Sequence, residues 1–230
     1  MTSGGTKLNI ILCEGKNDAW FFDEVMQEQF GDRVYTTSDR RMDKLQMLLE
    51  RSCFNFIKDQ YALIIFGDNG RRTIIEKILG RVVVDTLGKV GDDINTIVIL
   101  DDDGVRYEEL KKNISDKLKS ISKDTSKFTN NLYPTLEETD DSFILNHPKG
   151  RGIIEVQLST VPGSLEEQVT RKCIEVKYPT NLKILENGPH LALDILAMEY
   201  YGGDNEKLIR ETSTLLKDEA WVANIIDRVR

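Results

Sequence analysis

The stretch NTIVILDDDG, residues 95–104, runs an apolar segment straight into three aspartates and a glycine. A short continuous apolar run bounded by turn residues is the pattern of a strand buried on both faces of a parallel sheet. Working outward, LNIILC (8–13) and YALIIF (61–66) repeat that pattern upstream, and GIIEVQL (152–158) reads as a fourth strand downstream. Helical spacing separates them. Trp20, Phe21, Val25 and Met26 make an apolar stripe after Asp18, which is placed to cap the helix, and Gly31 closes it. The segment 39–60 reads as a second amphipathic helix, 71–88 as a third weakened by Gly80, and 105–123 as a fourth, mostly solvated one. Strand and helix in this alternation predict an α/β fold: a mainly parallel sheet of about four strands flanked by helices.

The polar, turn-rich stretch 124–150 reads as a long excursion from that framework. After it, Pro162-Gly163 marks a turn, Ser164 a cap, and the rest of the chain is helical in bias. The expected organisation is a domain over residues 1–165 and a helical C-terminal extension over 166–230, packed on it. The extension is also the surface expected to dimerise the chain or dock a protein partner.

The composition narrows the function classes. With 39 acidic against 31 basic residues the net charge is −8, which opposes indiscriminate attraction to a phosphate backbone. Any nucleic-acid contact would have to be local or bridged by metal. The chain has no apolar run of about 18 residues, and MTSGGTKLN lacks the basic and apolar regions of a signal peptide. Cys13, Cys53 and Cys173 are scattered and odd in number, suggesting neither a disulfide framework nor a zinc site. The expectation is a soluble cytoplasmic protein with no membrane segment.

Ligands of parallel α/β sheets bind beyond the carboxyl ends of the strands. Three strands end in acids there: Glu14 follows the first, Asp68 the second, and Asp101, Asp102 and Asp103 the third. In an extended segment Asp101 and Asp103 project to one side and Asp102 to the other. Carboxylates crowded in this way repel unless protons or a cation intervene, and oxygen-only ligands favour Mg2+ or Mn2+.

Glu14-Gly15 after the first strand, Asp101-x-Asp103 after a later one, and the α/β pattern between them resemble the Toprim domain of topoisomerases, bacterial primases, RecR-type recombination proteins and OLD-family nucleases. The resemblance covers roughly half the chain and implies a Toprim-type, Rossmann-like fold. It further implies that Glu14 acts as general acid or base and that Asp101 and Asp103 hold magnesium, with Glu14 itself as a further ligand. Gly163 to Glu166 resembles a late acidic motif of the small and OLD-type members, which adds Glu166 to the metal ligands. Lys16 and Asp18 belong to the same EGxxD stretch: Lys16 reads as a phosphate contact or a surface lysine, Asp18 as a site residue or a helix cap. Gly67, Asn69 and Gly70, with Arg71 and Arg72 behind them, read equally as a phosphate-facing loop for nucleic acid and as a tight turn.

Three functions compete. The first is metal-dependent hydrolysis of phosphodiester bonds in nucleic acid. The second is a haloacid-dehalogenase-like phosphatase, because VILDDDGV (98–105) also resembles that family's motif; Asp101 would then be the nucleophile, and Glu14 is left unexplained. The third is a non-catalytic module that binds nucleic acid or a partner. Arg40-Arg41, Lys111-Lys112 and Lys149/Arg151 read as solvated faces, Trp20, Phe21 and Phe22 as core, and His147 and His190 have no ligand-type company.

Overall fold

A computed structural model describes residues 8–37, 60–67, 70–89, 93–124, 134–147, 149 and 152–229. Seven strands form one sheet: β1 (Leu8–Cys13), β2 (Val34–Thr37), β3 (Leu63–Gly67), β4 (Ile94–Asp101), β5 (Thr135–Glu138), β6 (Ser142–Asn146) and β7 (Ile153–Val161). Their spatial order is β2-β3-β1-β4-β7-β6-β5. The first five in that order are mutually parallel, and β6 and β5 close one side as an antiparallel hairpin.

The expected α/β class holds, while the count of about four strands was too low. β2 is a four-residue, half-buried strand, and β5, TLEE, is mostly exposed, so neither presents an apolar run. β5 and β6 occupy part of what the sequence suggested was an excursion.

The central strands have the expected chemistry. Every residue of β1 and β3 is buried, as are seven of the eight in β4. Each fully buried Ile, Leu or Phe contributes roughly 1.5–3 kcal/mol of burial free energy. β7 instead alternates buried and half-buried positions at its start, because Ile154, Val156 and Leu158 join the core on one face while Ile153, Glu155 and Gln157 project to the other, less covered face.

One face of the sheet is covered by α2 and α3 (Tyr107–Lys123). Helix α2 begins at Arg71–Thr73, widens through a π segment at Ile74–Ile78 and continues over Leu79–Lys89. Gly80 does not interrupt it: a Cβ there would sit 3.4 Å from Lys117 Cε and 3.5 Å from Ile121 Cδ1, so the glycine faces α3. The other face is covered by α1 (Lys16–Phe30) together with α4 (Leu165–Lys177), α5 (Pro189–Tyr200), α6 (Asn205–Leu216) and α7 (Ala220–Val229), all in one apolar cluster. The amphipathic helix expected over 39–60 lies, but for its last residue, outside the described residues, as do Asp68, Asn69, Arg151 and the Arg40-Arg41 pair. No helix among the described residues is long and apolar enough to cross a membrane.

Two cap assignments differ in outcome. Ser164 caps α4 as expected, its Oγ accepting from Glu167 N at 3.3 Å. Asp18 does not cap α1. The helix starts earlier, at Lys16 with Gly15 in the cap position, which moves Asp18 into the buried first turn.

Candidate active site

The carboxyl ends of β1, β3, β4 and β7 share one edge of the sheet, and each delivers residues to it. Glu14 follows β1 and is held by three donors. Asp101 N and Arg71 Nε donate to its Oε1, each at 3.1 Å, and Arg71 N donates to Oε2 at 3.1 Å. Gly70 N also donates to the Glu14 carbonyl at 2.6 Å, so the start of α2 is fastened to the end of β1. Arg71 reaches further: Nη2 donates to the Asp101 carbonyl at 2.5 Å and lies 3.5 Å from Asp103 Oδ2.

The close approach of β1 and β3 depends on Gly67. A Cβ there would fall 2.4 Å from the Gly15 carbonyl oxygen and 3.0 Å from Ala19 Cβ. A Cβ on Gly15 would meet Asp18 Oδ2 at 3.0 Å. Gly15 therefore makes room for a carboxylate of its own helix.

The DxD alternation stops at Asp101, where β4 ends. Asp102 begins a turn, with Val105 N donating to its carbonyl at 2.5 Å, and Asp103 adopts a left-handed conformation (φ 41°). The Asp102 carboxylate is structural: Oδ1 accepts from Gly163 N at 2.9 Å and Gly104 N at 3.3 Å, pinning the β7–α4 turn. Asp103 stands on the rim, its side chain 56% exposed. Asp101 turns inward and its Oδ1 accepts from Leu165 N at 3.2 Å.

Two more carboxylates face Asp101. Asp18 is buried in the first turn of α1, and Glu166, equally buried, lies in the first turn of α4. Asn17 Nδ2 donates to Glu166 Oε1 at 2.8 Å, and His190 Nδ1 lies 3.4 Å from the same oxygen. Burial, then the negative charges of Glu14, Glu166 and Asp103, push the Asp101 carboxyl up to about 8, against a smaller downward pull from the Leu165 N–H. Burial, then Asp101, Glu166 and Glu14, hold Asp18 well above the ordinary carboxylate range. The buried Cys13 thiol beneath them is pushed up by burial and by Asp18, Asp101 and Glu14. All three shifts share their causes, burial first and then the same gathered carboxylates.

The donor chemistry fits a hard divalent cation: the groups are all oxygen donors, their charges repel, and a positive ion would relieve that repulsion. Their spacing is open. Among the described residues no three acidic, histidine or cysteine side chains close around a single point, so waters and substrate oxygens would complete any shell.

Of the residues singled out in the sequence, Glu14, Asp18, Asp101 and Glu166 gather in this pocket, with Asp103 at its rim. Arg71 lies inside it as the partner of Glu14. Arg72 is exposed and lines a cavity of about 560 Å³ between α2 and α3, together with Asn113 and Lys117. Lys16 is exposed, its Nζ 4.2 Å from the Trp20 ring centroid. Asn17 escaped the sequence reading, and His190, set aside there as lacking ligand-type company, has Glu166 at 3.4 Å. Asn17 carries no signal beyond its place inside EGxxD, and His190 reaches Glu166 only through the packing of α5. Compared with models of known families, with curated proteins and with solved structures, the chain matches none.

Proposed function

We propose that the chain catalyses divalent-cation-dependent phosphoryl transfer on nucleic acid, in its simplest form the hydrolysis of a phosphodiester bond, as its resemblance to Toprim nucleases implies. The observation that carries this reading is the meeting of Asp18, Asp101 and Glu166, from three distant parts of the chain, in one pocket where burial, then negative charge, pushes Asp101 up to about 8. Asp101 and one neighbouring carboxylate, Asp18 or Glu166, would hold Mg2+ or Mn2+, with waters and substrate oxygens completing the shell. When bound, the cation offsets the negative charge that develops on the transferred phosphate.

Arg71 and Glu14 act as a pair. A guanidinium prefers a phosphate as readily as a carboxylate, so an incoming phosphate competes for Arg71 and frees Glu14. The released carboxylate then handles the proton of the attacking or departing oxygen. The phosphatase alternative makes Asp101 the nucleophile and leaves Glu14, held by Arg71 at 3.1 Å, without a role.

The test is a cleavage assay of the wild-type chain with Mg2+ or Mn2+ on single- and double-stranded DNA and RNA. Cleavage is expected, with Asp101→Asn abolishing it and Glu14→Gln lowering it by about 10²–10⁴-fold, the usual range for a lost acid–base group. Wild-type protein that leaves every such substrate intact would sink the proposal and favour a binding module. Hydrolysis of a small phosphomonoester but of no polynucleotide would favour the phosphatase.

A further inference from the structure

Phe21 and Phe22 are fully buried, as the sequence suggested, and Phe21 stacks on Trp221 in the core at 5.6 Å. Trp20 is the exception. It is half-buried and contributes to the wall of a cavity of about 500 Å³ between the start of α1 and the α5–α6 turn, with Lys16, Asn17, Gly202, Asp204 and Asn205 around it. The Lys16 ammonium sits over the indole face at 4.2 Å.

Resting on the phosphodiester reading above, we infer that this cavity is a nucleobase pocket, in which the base beside the scissile phosphate of a single strand stacks on Trp20. Four observations converge on that occupant. The volume lies within the 300–1,000 Å³ of small-ligand sites and suits one nucleoside. Trp20 offers a flat aromatic surface, and stacking on an aromatic is how single strands are gripped without regard to sequence.

The third observation is charge. Asp204 and Glu206 also line the cavity; Glu206 is paired with Arg210 at 2.9 Å, so it is the Asp204 carboxylate that disfavours a phosphate there, while a neutral ring with exocyclic N–H donors meets carboxylate and carboxamide acceptors. Asp204 already caps α6 by accepting from Lys207 N at 3.0 Å, which fixes its carboxylate in place. Gly202 adds no side chain, and a Cβ there would meet nothing within 4 Å, so the mouth is open.

The fourth is continuity. Asn17 lines the cavity and also donates to Glu166 at 2.8 Å, and the next residue is Asp18. A base on Trp20 therefore leaves its phosphate beside the acidic pocket. Stacking displaces the Lys16 ammonium from the indole face, and its long, flexible stem lets it follow the phosphate.

The experiment measures binding of short fluorescein-labelled single-stranded DNA and RNA to the full chain, in parallel with Ca2+ and with EDTA, by anisotropy and by tryptophan quenching. Trp20→Ala is expected to weaken binding about 5- to 150-fold, and Trp20→Phe, which keeps an aromatic face, only severalfold. Melting curves identify a variant that fails to fold, in which case Trp20→Phe and the abasic oligonucleotides carry the test. An oligonucleotide with one abasic position should lose affinity for the wild type and lose nothing further in Trp20→Ala. Unchanged binding by Trp20→Ala, equal abasic losses in both proteins, or no binding by the wild type would overturn the pocket.

The cleavage assay separates the two proposals. Cleavage that needs Asp101 but ignores Trp20 would leave the phosphodiester reading standing and remove the pocket. Trp20-dependent binding with no cleavage under any cation would do the reverse.

Discussion

With its carboxyl at about 8 in the fold against about 3.9 in an unfolded chain, Asp101 binds more protons folded than unfolded between those values. Protons bound preferentially to the native state stabilise it, so this contribution is complete below about pH 4 and is lost as the pH rises through about 8. Asp18 shifts in the same direction and adds to the slope. Asp101→Asn keeps an acceptor for the Leu165 N–H while removing the charge. In cation-free buffer at pH 8 it should raise the melting temperature, by ~2–4 °C for each kcal/mol of repulsion relieved, and flatten the fall in stability between about pH 4 and 8. Thermal melts across that range check this; an unchanged slope would mean that the carboxylates do not repel as described. The variant that should abolish cleavage should therefore be the more stable protein.

At the scale of elements, the site exists because strand ends and helix starts are brought closer than side chains normally allow. Gly67→Ala puts a methyl carbon 2.4 Å from the Gly15 carbonyl oxygen, backbone that cannot swing away. Such overpacking costs about 1–3 kcal/mol, and the displaced β1–α1 junction should weaken cation binding as well. Denaturant melts and calorimetric titration of Mn2+ would register both losses. β1, β3 and β4 were legible because burial on both faces writes an unbroken apolar run. β2, β5 and β6 were not, since an edge or hairpin strand is short and partly wet and leaves only a weak pattern. Glu14 and Asp101 could be read because each sits at or just beyond a strand end, whereas Glu166, in the first turn of α4, was reached only through the resemblance of Gly163 to Glu166 to an acidic motif. The inward turn of Asp18 depended on where α1 starts, and the rim position of Asp103 on where β4 stops. The nearness of His190 depended on a helix folded back from far along the chain.

Across the whole molecule, the last helix is tied to the foot of the sheet by a polar knot. Asn95, buried in β4, donates to Asn9 Oδ1 at 2.9 Å and to the Arg228 carbonyl at 2.8 Å, and accepts from Gln157 Nε2 at 3.2 Å. Arg228 Nη1 closes the loop by donating to Gln157 Oε1 at 3.0 Å. These residues join β1, β4, β7 and α7 at the end of the sheet opposite the acidic pocket. Asn95→Ala strands the buried Asn9 carboxamide and two half-buried partners, Gln157 and the Arg228 carbonyl, and should cost about 1–3 kcal/mol. Equilibrium unfolding would reveal it; a loss below about 0.5 kcal/mol would make the knot incidental.

The outer rim of the sheet carries a different implication. Among the described residues β5 is hydrogen-bonded to β6 alone, and its other edge presents the sequence TLEE. Unpaired strand edges invite another chain to add itself, and native proteins blunt them with short length and like charge. Glu137 and Glu138 do both jobs in four residues, Glu138 being anchored by Ser115 and Lys119 and Glu137 by Asn146. A second copy arriving edge to edge would set glutamate against glutamate, so at this side crowding in a concentrated solution meets repulsion instead of growth into a fibre.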